Sequence, residues 1–206
     1  GDSYKGHIEV SMLPPVDLSR RVDYLISYPH GCVEQTVSRA FPQLYLSSFI
    51  DLSKAQKREA QNNVNAALDK LLNHQTSEGG FSYWPGNPYS NEWGSNYATH
   101  FIVEAKEKGF KIPSGMRKSA LYFLKEKSRM WTEMNDDRKA RYNDLGQAYR
   151  LYILSKAGSP EWGAMNRLRE KKDLSRPSQW RLAGAYALAG KTKVAEKMIY
   201  QLKTSV

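Results

Sequence analysis

The chain has 206 residues, of which 40% are hydrophobic and 25% are charged, and its formal net charge is +10 with a pI near 9.6. This composition is that of a globular domain, and the length allows one domain with a sizeable core. No apolar run approaches the roughly 18 residues of a membrane span. The single cysteine, Cys32, excludes an internal disulfide framework and a cysteine-based zinc cluster.

The excess of positive charge first suggests nucleic-acid binding. The basic residues, however, are spread along predicted helices and alternate with acidic ones, as in residues 104–108. That pattern is typical of solvated helix faces. We therefore expect no nucleic-acid partner and no direct membrane contact from this chain, although a basic face suits acidic partners.

The N-terminal segment differs from the rest of the chain. Residues 7–13 alternate apolar and polar side chains, which predicts a β-strand, and Pro14 ends it. Because the following pattern is helical, we interpret residues 1–15 as a strand stub and linker from a neighbouring β domain. Residues 16–206 are then the domain proper, a fragment of a larger protein.

Helical periodicity dominates after residue 15 and predicts a mostly helical fold with helices in antiparallel pairs. A turn rich in glycine and aromatic residues at 77–86 resembles the interhelical turns of α/α-toroid proteins. Pro42 is expected to kink or restart the helix that begins at Cys32. The predicted helices cover residues 17–27, 32–50, 53–74, 91–108, 114–131, 144–157, 161–172, 177–189 and 191–203.

Residues 28–35 contain the candidate reactive groups of the chain. Pro29 and Gly31 predict a tight turn, and a helix begins at Cys32. At this spacing the Cys32 thiol and the Gln35 carboxamide share one face of the first helical turn. The thiol can displace ammonia from the amide and leave an internal thioester. A thiolate leaves readily because the pKa of its thiol is near ~8.5, so the Gln35 carbonyl becomes a stored electrophile. The alternative is a buried structural cysteine.

Residues 31–35, Gly-Cys-Val-Glu-Gln, resemble the Gly-Cys-x-Glu-Gln signature of alpha-2-macroglobulins and complement thioester proteins. The longer run of residues 28–42 is most similar to the bacterial branch, and the resemblance covers most of the chain, weakening toward the C-terminus. Val33 stands where vertebrate members usually have glycine. The resemblance implies a thioester-forming pair, Cys32 and Gln35, supported by Gly31, Glu34, Tyr28 and Pro29.

The resemblance also implies a fold and a function. The expected fold is all-α, an incomplete α/α toroid of paired antiparallel helices preceded by a short β segment. The expected function is a fragment of a broad-spectrum protease inhibitor. A protease cleaves a bait elsewhere in the parent protein, and a protease lysine amine then attacks the Gln35 carbonyl and releases the Cys32 thiolate. This capture is single-use and not enzymatic.

The same resemblance implies which partners and which location to expect. The partners are target proteases and the other domains of the parent protein. No cofactor is expected, and four scattered histidines give no metal-ligand spacing. The parent protein is expected to be exported, to the periplasm or the cell envelope.

The sequence also contains histidines and aromatic residues outside the five-residue signature. In some complement relatives a histidine roughly one hundred residues beyond the cysteine attacks the thioester first. The equivalent region here is near residues 135–142, and no histidine follows His100, so direct attack by amines is expected. We interpret His30 as a packed or exposed turn residue and His100 as a satisfied helix histidine. Five aromatic residues either shield the site from water or pack in turns: Tyr28, Tyr83, Trp84, Tyr89 and Trp93.

Two alternative functions remain open from the sequence. Glu133, Asp136 and Asp137 cluster in a loop-like stretch, and paired carboxylates on an α/α toroid can serve a glycosidase or a lyase. A non-covalent helical interaction module with an inert Cys32 is the other alternative. Only the thioester hypothesis predicts methylamine incorporation at Gln35 together with release of the Cys32 thiol.

Overall fold

The computed structural model describes residues 22–132 and 137–202, without the side chains of residues 137–142. Within these ranges the chain forms ten α-helices, and the one β pairing is an isolated bridge between Gln75 and Phe81. The helices are α1 (Val22–Leu25), α2 (Val33–Gln43), α3 (Leu46–Phe49), α4 (Lys54–Leu72), α5 (Glu92–Glu107), α6 (Met116–Met130), α7 (Asp137–Lys156), α8 (Trp162–Arg169), α9 (Arg176–Leu188) and α10 (Thr192–Gln201).

The larger helices form two layers. Helices α2, α5, α7 and α9 pack against one another in succession, and α4, α6, α8 and α10 lie against their outer sides. This is the arrangement of an α/α toroid, and it confirms the predicted all-α fold of paired helices. Across the described part of the chain, α9 does not pack substantially against α2, so the four inner helices form an open arc.

The buried side chains fall into separate clusters. The first cluster joins α2, α4, α5 and the start of α6, with the fully buried Phe81 from the turn after α4. The second joins α7, α8, α9 and α10. A smaller third cluster between α5, α6 and α7 lies between them. Helices α5, α6 and α7 contribute to two clusters each, so the third cluster connects the other two.

Several helix boundaries follow from capping. The Ser53 hydroxyl accepts a hydrogen bond from the backbone N–H of Gln56 (3.2 Å), and the Asn91 side chain accepts one from Gly94 (2.7 Å). Both residues cap the helices that the sequence predicted there. Pro42 lies in the last turn of α2, and a new helix, α3, starts four residues later.

Some predicted boundaries were wrong. Helix α7 begins at Asp137, not near Asp144. Residues 137–143 include good helix formers, which favour the earlier start, but they have no apolar repeat from which it could be predicted. Asp137 therefore begins a helix and does not lie in a loop, while Glu133 and Asp136 lie outside the described residues. Helix α8 ends at Arg169, three residues earlier than predicted.

The predicted strand at residues 7–13, the boundary at residue 15 and the start of the first helix also lie outside the described residues. Of the helices that the structure describes, none is both long and apolar enough to cross a bilayer.

Candidate functional site

Cys32 is the N-cap of α2, as predicted, and only 2% of its surface is exposed. Gly31 precedes it with φ +93°, in the left-handed region that favours glycine. The next backbone N–H, that of Val33, donates to the Tyr83 carbonyl (3.0 Å). The turn after α4 therefore packs directly against the first turn of α2.

Gln35 folds back over the start of its own helix. Its carboxamide oxygen accepts a hydrogen bond from the backbone N–H of Cys32 (3.1 Å), and the two side chains adopt the reciprocal arrangement of a capping box. A Cβ at Gly31 would lie 1.9 Å from that oxygen, so the carboxamide fills the space above the glycine. Sequence reasoning placed the thiol and the amide on one face, and the structure brings them together on the first turn.

The loop before Cys32 is held by two basic side chains. Lys70 donates to the Pro29 carbonyl (2.6 Å) and lies over the Tyr28 ring, 4.6 Å from its centroid. Arg39 donates to the Tyr28 carbonyl (3.2 Å). Pro29 is buried, while Tyr28 is half exposed. These contacts fix the position of the loop that leads to Cys32. Lys70 contacts this loop from the last turn of α4.

Glu34 joins two of the aromatic residues to the motif. Its carboxylate accepts hydrogen bonds from the Trp93 indole N–H (3.2 Å) and, more weakly, from the Tyr83 hydroxyl (3.4 Å). The Tyr83 hydroxyl also interacts with the Cys32 thiol; this contact and the nearby Glu34 carboxylate raise the pKa of Tyr83 to about 12. Tyr83 and Trp93 remain 39% and 44% exposed.

This arrangement combines a nucleophile, an electrophile and stabilisation of negative charge. The thiol and the carboxamide share the N-terminal turn of an 11-residue helix. The positive end of the helix dipole favours negative charge at that end of the helix. The geometry is therefore suited to forming a sulfur–carbonyl bond and to releasing the sulfur from it.

The model of the A-macroglobulin TED domain matches residues 7–143, about two thirds of the chain. The chain belongs to this family. Alpha-2-macroglobulin from Escherichia coli K12 is 29% identical to the TED chain over 178 residues, 82% of this chain and 11% of the relative. The relative from Xylella fastidiosa Temecula1 is 28% identical over 210 residues, 96% of this chain and 13% of that protein. The TED chain thus spans about an eighth of these relatives.

Solved structures agree with the TED assignment. Native E. coli alpha-2-macroglobulin, spanning domain MG7 to the C-terminus, superimposes with a TM-score of 0.75 at 25% identity, over 91% of this chain and 31% of that one. Salmonella alpha-2-macroglobulin reacted with methylamine gives the same TM-score and identity, over 92% of this chain and 13% of that one. The α/α arrangement is therefore the fold of the corresponding region in these proteins.

The two histidines that the sequence singled out, His30 and His100, make different contacts. His30 is exposed, and its ring lies 4.6 Å from that of Tyr28. The ring nitrogens of His100 lie 3.0 Å from the Tyr149 hydroxyl and 3.2 Å from Glu104, and burial lowers its pKa. His100 is thus the satisfied helix histidine that was predicted. Among the described side chains, no group of three His, Cys, Asp or Glu is placed to hold a metal.

The five aromatic residues do not act as one group. Tyr83 and Trp93 contact Glu34, and Trp84 packs edge-on against Tyr83 with the ring centroids 5.8 Å apart. Tyr89 is 81% exposed. Sequence reasoning did not foresee the support from Lys70, because it lies 41 residues from Pro29 and no local pattern connects them.

Proposed function

We propose that the Cys32–Gln35 pair forms an internal thioester and that this TED domain captures proteases covalently, as part of a larger inhibitor. The observation that supports this proposal best is the position of the Gln35 carboxamide, folded back over Gly31 and bonded to the N–H of Cys32. A carboxamide that extended away from this turn would leave the thiol without an electrophile. Here the two reacting groups occupy one helical turn.

The bond would form by substitution at the amide. The Cys32 sulfur attacks the Gln35 carbonyl carbon, ammonia leaves, and a thioester remains. A protease lysine amine later attacks the same carbon, a C–N bond forms, and the C–S bond breaks to release the Cys32 thiolate. Because the product is a stable amide, each molecule reacts once.

The relatives favour this chemistry. One neighbouring structure is that of Salmonella alpha-2-macroglobulin reacted with methylamine, and others are of E. coli alpha-2-macroglobulin activated by trypsin or by porcine elastase. We extend these reactions to the protein that contains this chain. Its target proteases and the bait that they cleave lie beyond the TED domain.

Water would compete with the amine at this site. Cys32 is buried, but Gln35 is exposed, and the neighbouring Tyr83 and Trp93, which contact Glu34, are themselves partly exposed. We infer that other domains of the parent protein cover Gln35 until bait cleavage moves them. We also propose that the parent protein is exported to the periplasm or the cell envelope, which cell fractionation with an antibody to this domain would test.

Peptide mass spectrometry tests the thioester. In the full-length protein, purified without nucleophiles, the peptide with Cys32 and Gln35 should be lighter than its sequence by one ammonia. Methylamine should convert Gln35 to its methyl amide and make Cys32 alkylatable. Cys32→Ala and Gln35→Ala should abolish both changes and also covalent protease capture, whereas Gln201→Ala, at an exposed position on α10, should alter neither.

Two outcomes would refute the proposal. One is a free thiol with unmodified Gln35 in the fresh full-length protein. The other is undiminished covalent capture in the Cys32→Ala variant. Turnover of a glycan that survives Cys32→Ala would instead favour a glycosidase or lyase on the same fold.

A further inference from the structure

The Tyr83 side chain lies beside the reactive turn, near two groups that can accept a hydrogen bond from its hydroxyl. One is the Cys32 thiol, and the other is the Glu34 carboxylate, whose nearer oxygen is 3.4 Å away. The second oxygen of Glu34 accepts a 3.2 Å bond from the Trp93 indole. The Tyr83 carbonyl is itself fixed to the N–H of Val33, so the residue is attached to the helix that carries the reactive pair.

One hydroxyl proton cannot serve both acceptors equally. At 3.4 Å the bond to Glu34 is long for an O–H···O bond, so little is lost when the hydroxyl turns away from it. A neutral sulfur is a weak acceptor, but a thiolate carries a full charge, and bonds to ionised groups are about twice as strong. The preferred partner of the Tyr83 hydroxyl therefore changes from Glu34 to Cys32 when the C–S bond breaks.

The tyrosine also remains a donor throughout this change. Its ordinary pKa of roughly 10 keeps the hydroxyl protonated at neutral pH, and the nearby Glu34 carboxylate raises that pKa further. An attacking lysine must be neutral, which becomes common as the pH approaches its own pKa of roughly 10.4. Near neutral pH Tyr83 is therefore protonated, while the small neutral fraction of the amine reacts.

We propose that Tyr83 donates a hydrogen bond to the departing Cys32 thiolate when an amine opens the thioester, and that Glu34 positions Tyr83 for this step. This inference rests on the proposed thioester. The amine nitrogen forms a bond to the Gln35 carbonyl carbon, and the C–S electron pair goes to the sulfur. The amine proton goes to water, and Tyr83 keeps its own proton.

This role and a simple shielding role predict opposite effects. A shield only excludes water and nucleophiles, so weakening it would speed the reaction or leave it unchanged. A donor lowers the barrier, so its removal slows the reaction. Tyr83→Phe removes the hydroxyl and keeps the ring, and Tyr122→Phe makes the same change at a 62% exposed position on α6.

The rate at which methylamine releases the Cys32 thiol distinguishes the donor role of Tyr83 from a shielding role. In full-length protein whose Cys32–Gln35 peptide shows the loss of ammonia, Tyr83→Phe should react about tenfold more slowly, from the strength of one hydrogen bond to a charged group. Tyr122→Phe should react at the unchanged rate. An unchanged or faster rate in Tyr83→Phe would overturn the inference.

A second measurement does not depend on the thioester. Where Cys32 is free, its alkylation by iodoacetamide below pH 8 reports how well the thiolate is stabilised, and Tyr83→Phe should slow it by a similar factor. Equal alkylation rates in the variant and the parent would refute the donor role. If the unmodified protein lacks the thioester, the proposed function fails, but this comparison still tests Tyr83.

The positioning role of Glu34 has its own test. Glu34→Ala removes the acceptor that holds Tyr83 and Trp93, and it should slow alkylation of free Cys32. Glu34→Gln keeps an oxygen acceptor at the same place and should restore most of the rate. If Glu34→Gln is as slow as Glu34→Ala, Glu34 acts through its charge and does not position Tyr83.

Discussion

Replacing Gly31 by alanine should separate Gln35 from Cys32. A Cβ at Gly31 would lie 1.9 Å from the Gln35 carboxamide oxygen and 2.9 Å from its carbon, distances that no structure tolerates. The carboxamide must therefore move away and lose its 3.1 Å bond to the Cys32 N–H. In addition, φ is +93° at this position, which an L side chain rarely adopts.

The size of the effect follows from these two contributions. The left-handed backbone costs alanine roughly 1–2 kcal/mol, and the lost hydrogen bond costs about 0.5–1.5 kcal/mol. The free energy of unfolding should therefore decrease by about 1.5–3.5 kcal/mol, which lowers Tm by roughly 3–14 °C in a domain of this size. The thioester should also fail to form, because the Gln35 carboxamide is displaced from its position beside Cys32.

Gly158→Ala is the matched control for this substitution. Its φ is +74°, but a Cβ there would meet nothing within 4 Å, so it shares the backbone strain without the clash. Calorimetry gives the two Tm values, and mass spectrometry gives the loss of ammonia. If Gly31→Ala is no less stable than Gly158→Ala and still loses ammonia, the carboxamide does not depend on the glycine.

Three further predictions concern stability. Burial lowers the pKa of His74 and of His100, so the unfolded chain is protonated first and the free energy of unfolding should fall as the pH drops below about 6.5; a flat profile in urea titrations would contradict this. Asp144→Ala should lower the free energy of unfolding by about 1–3 kcal/mol in the same assay, because the buried carboxylate accepts bonds from a backbone N–H and two hydroxyls at the start of α9. A decrease below about 0.5 kcal/mol, the size of an ordinary surface substitution, would show that water replaces the carboxylate for those donors. Gly94→Ala should lower the free energy of unfolding by about 1–3 kcal/mol, because its Cβ would lie 2.7 Å from a methyl group of Val33 on α2. Gly146→Ala, where a Cβ would meet nothing within 4 Å, should raise the free energy of unfolding by roughly 0.5–1 kcal/mol. Equal changes in the two variants would argue against the close contact between α5 and α2.

Local features of the site could be predicted because they depend on neighbours in sequence. The spacing of Cys32 and Gln35 determines that they share a helical turn, and Pro29 and Gly31 favour the preceding bend. The caps at Ser53 and Asn91 are also local. Apolar periodicity likewise determined the positions of most helices and the all-α fold.

Other features depend on contacts between distant segments. The bonds from Lys70 to Pro29 and from Trp93 to Glu34 join residues 41 and 59 positions apart, and nothing near either residue indicates its partner. The start of α7 was missed for a different reason. The sequence of its first turns has no apolar repeat, so helix propensity acts there without the periodicity on which the prediction relied.

The division of the interior into clusters has a consequence for how the domain opens. The cysteine turn rests on the first cluster, through Val33, while the four C-terminal helices are held by the second. Regions with separate cores can unfold with separate free energies. Local unfolding of α9 and α10 should therefore leave the reactive turn folded. Exposure of Cys32 and Gln35 then does not depend on local unfolding of the C-terminal half.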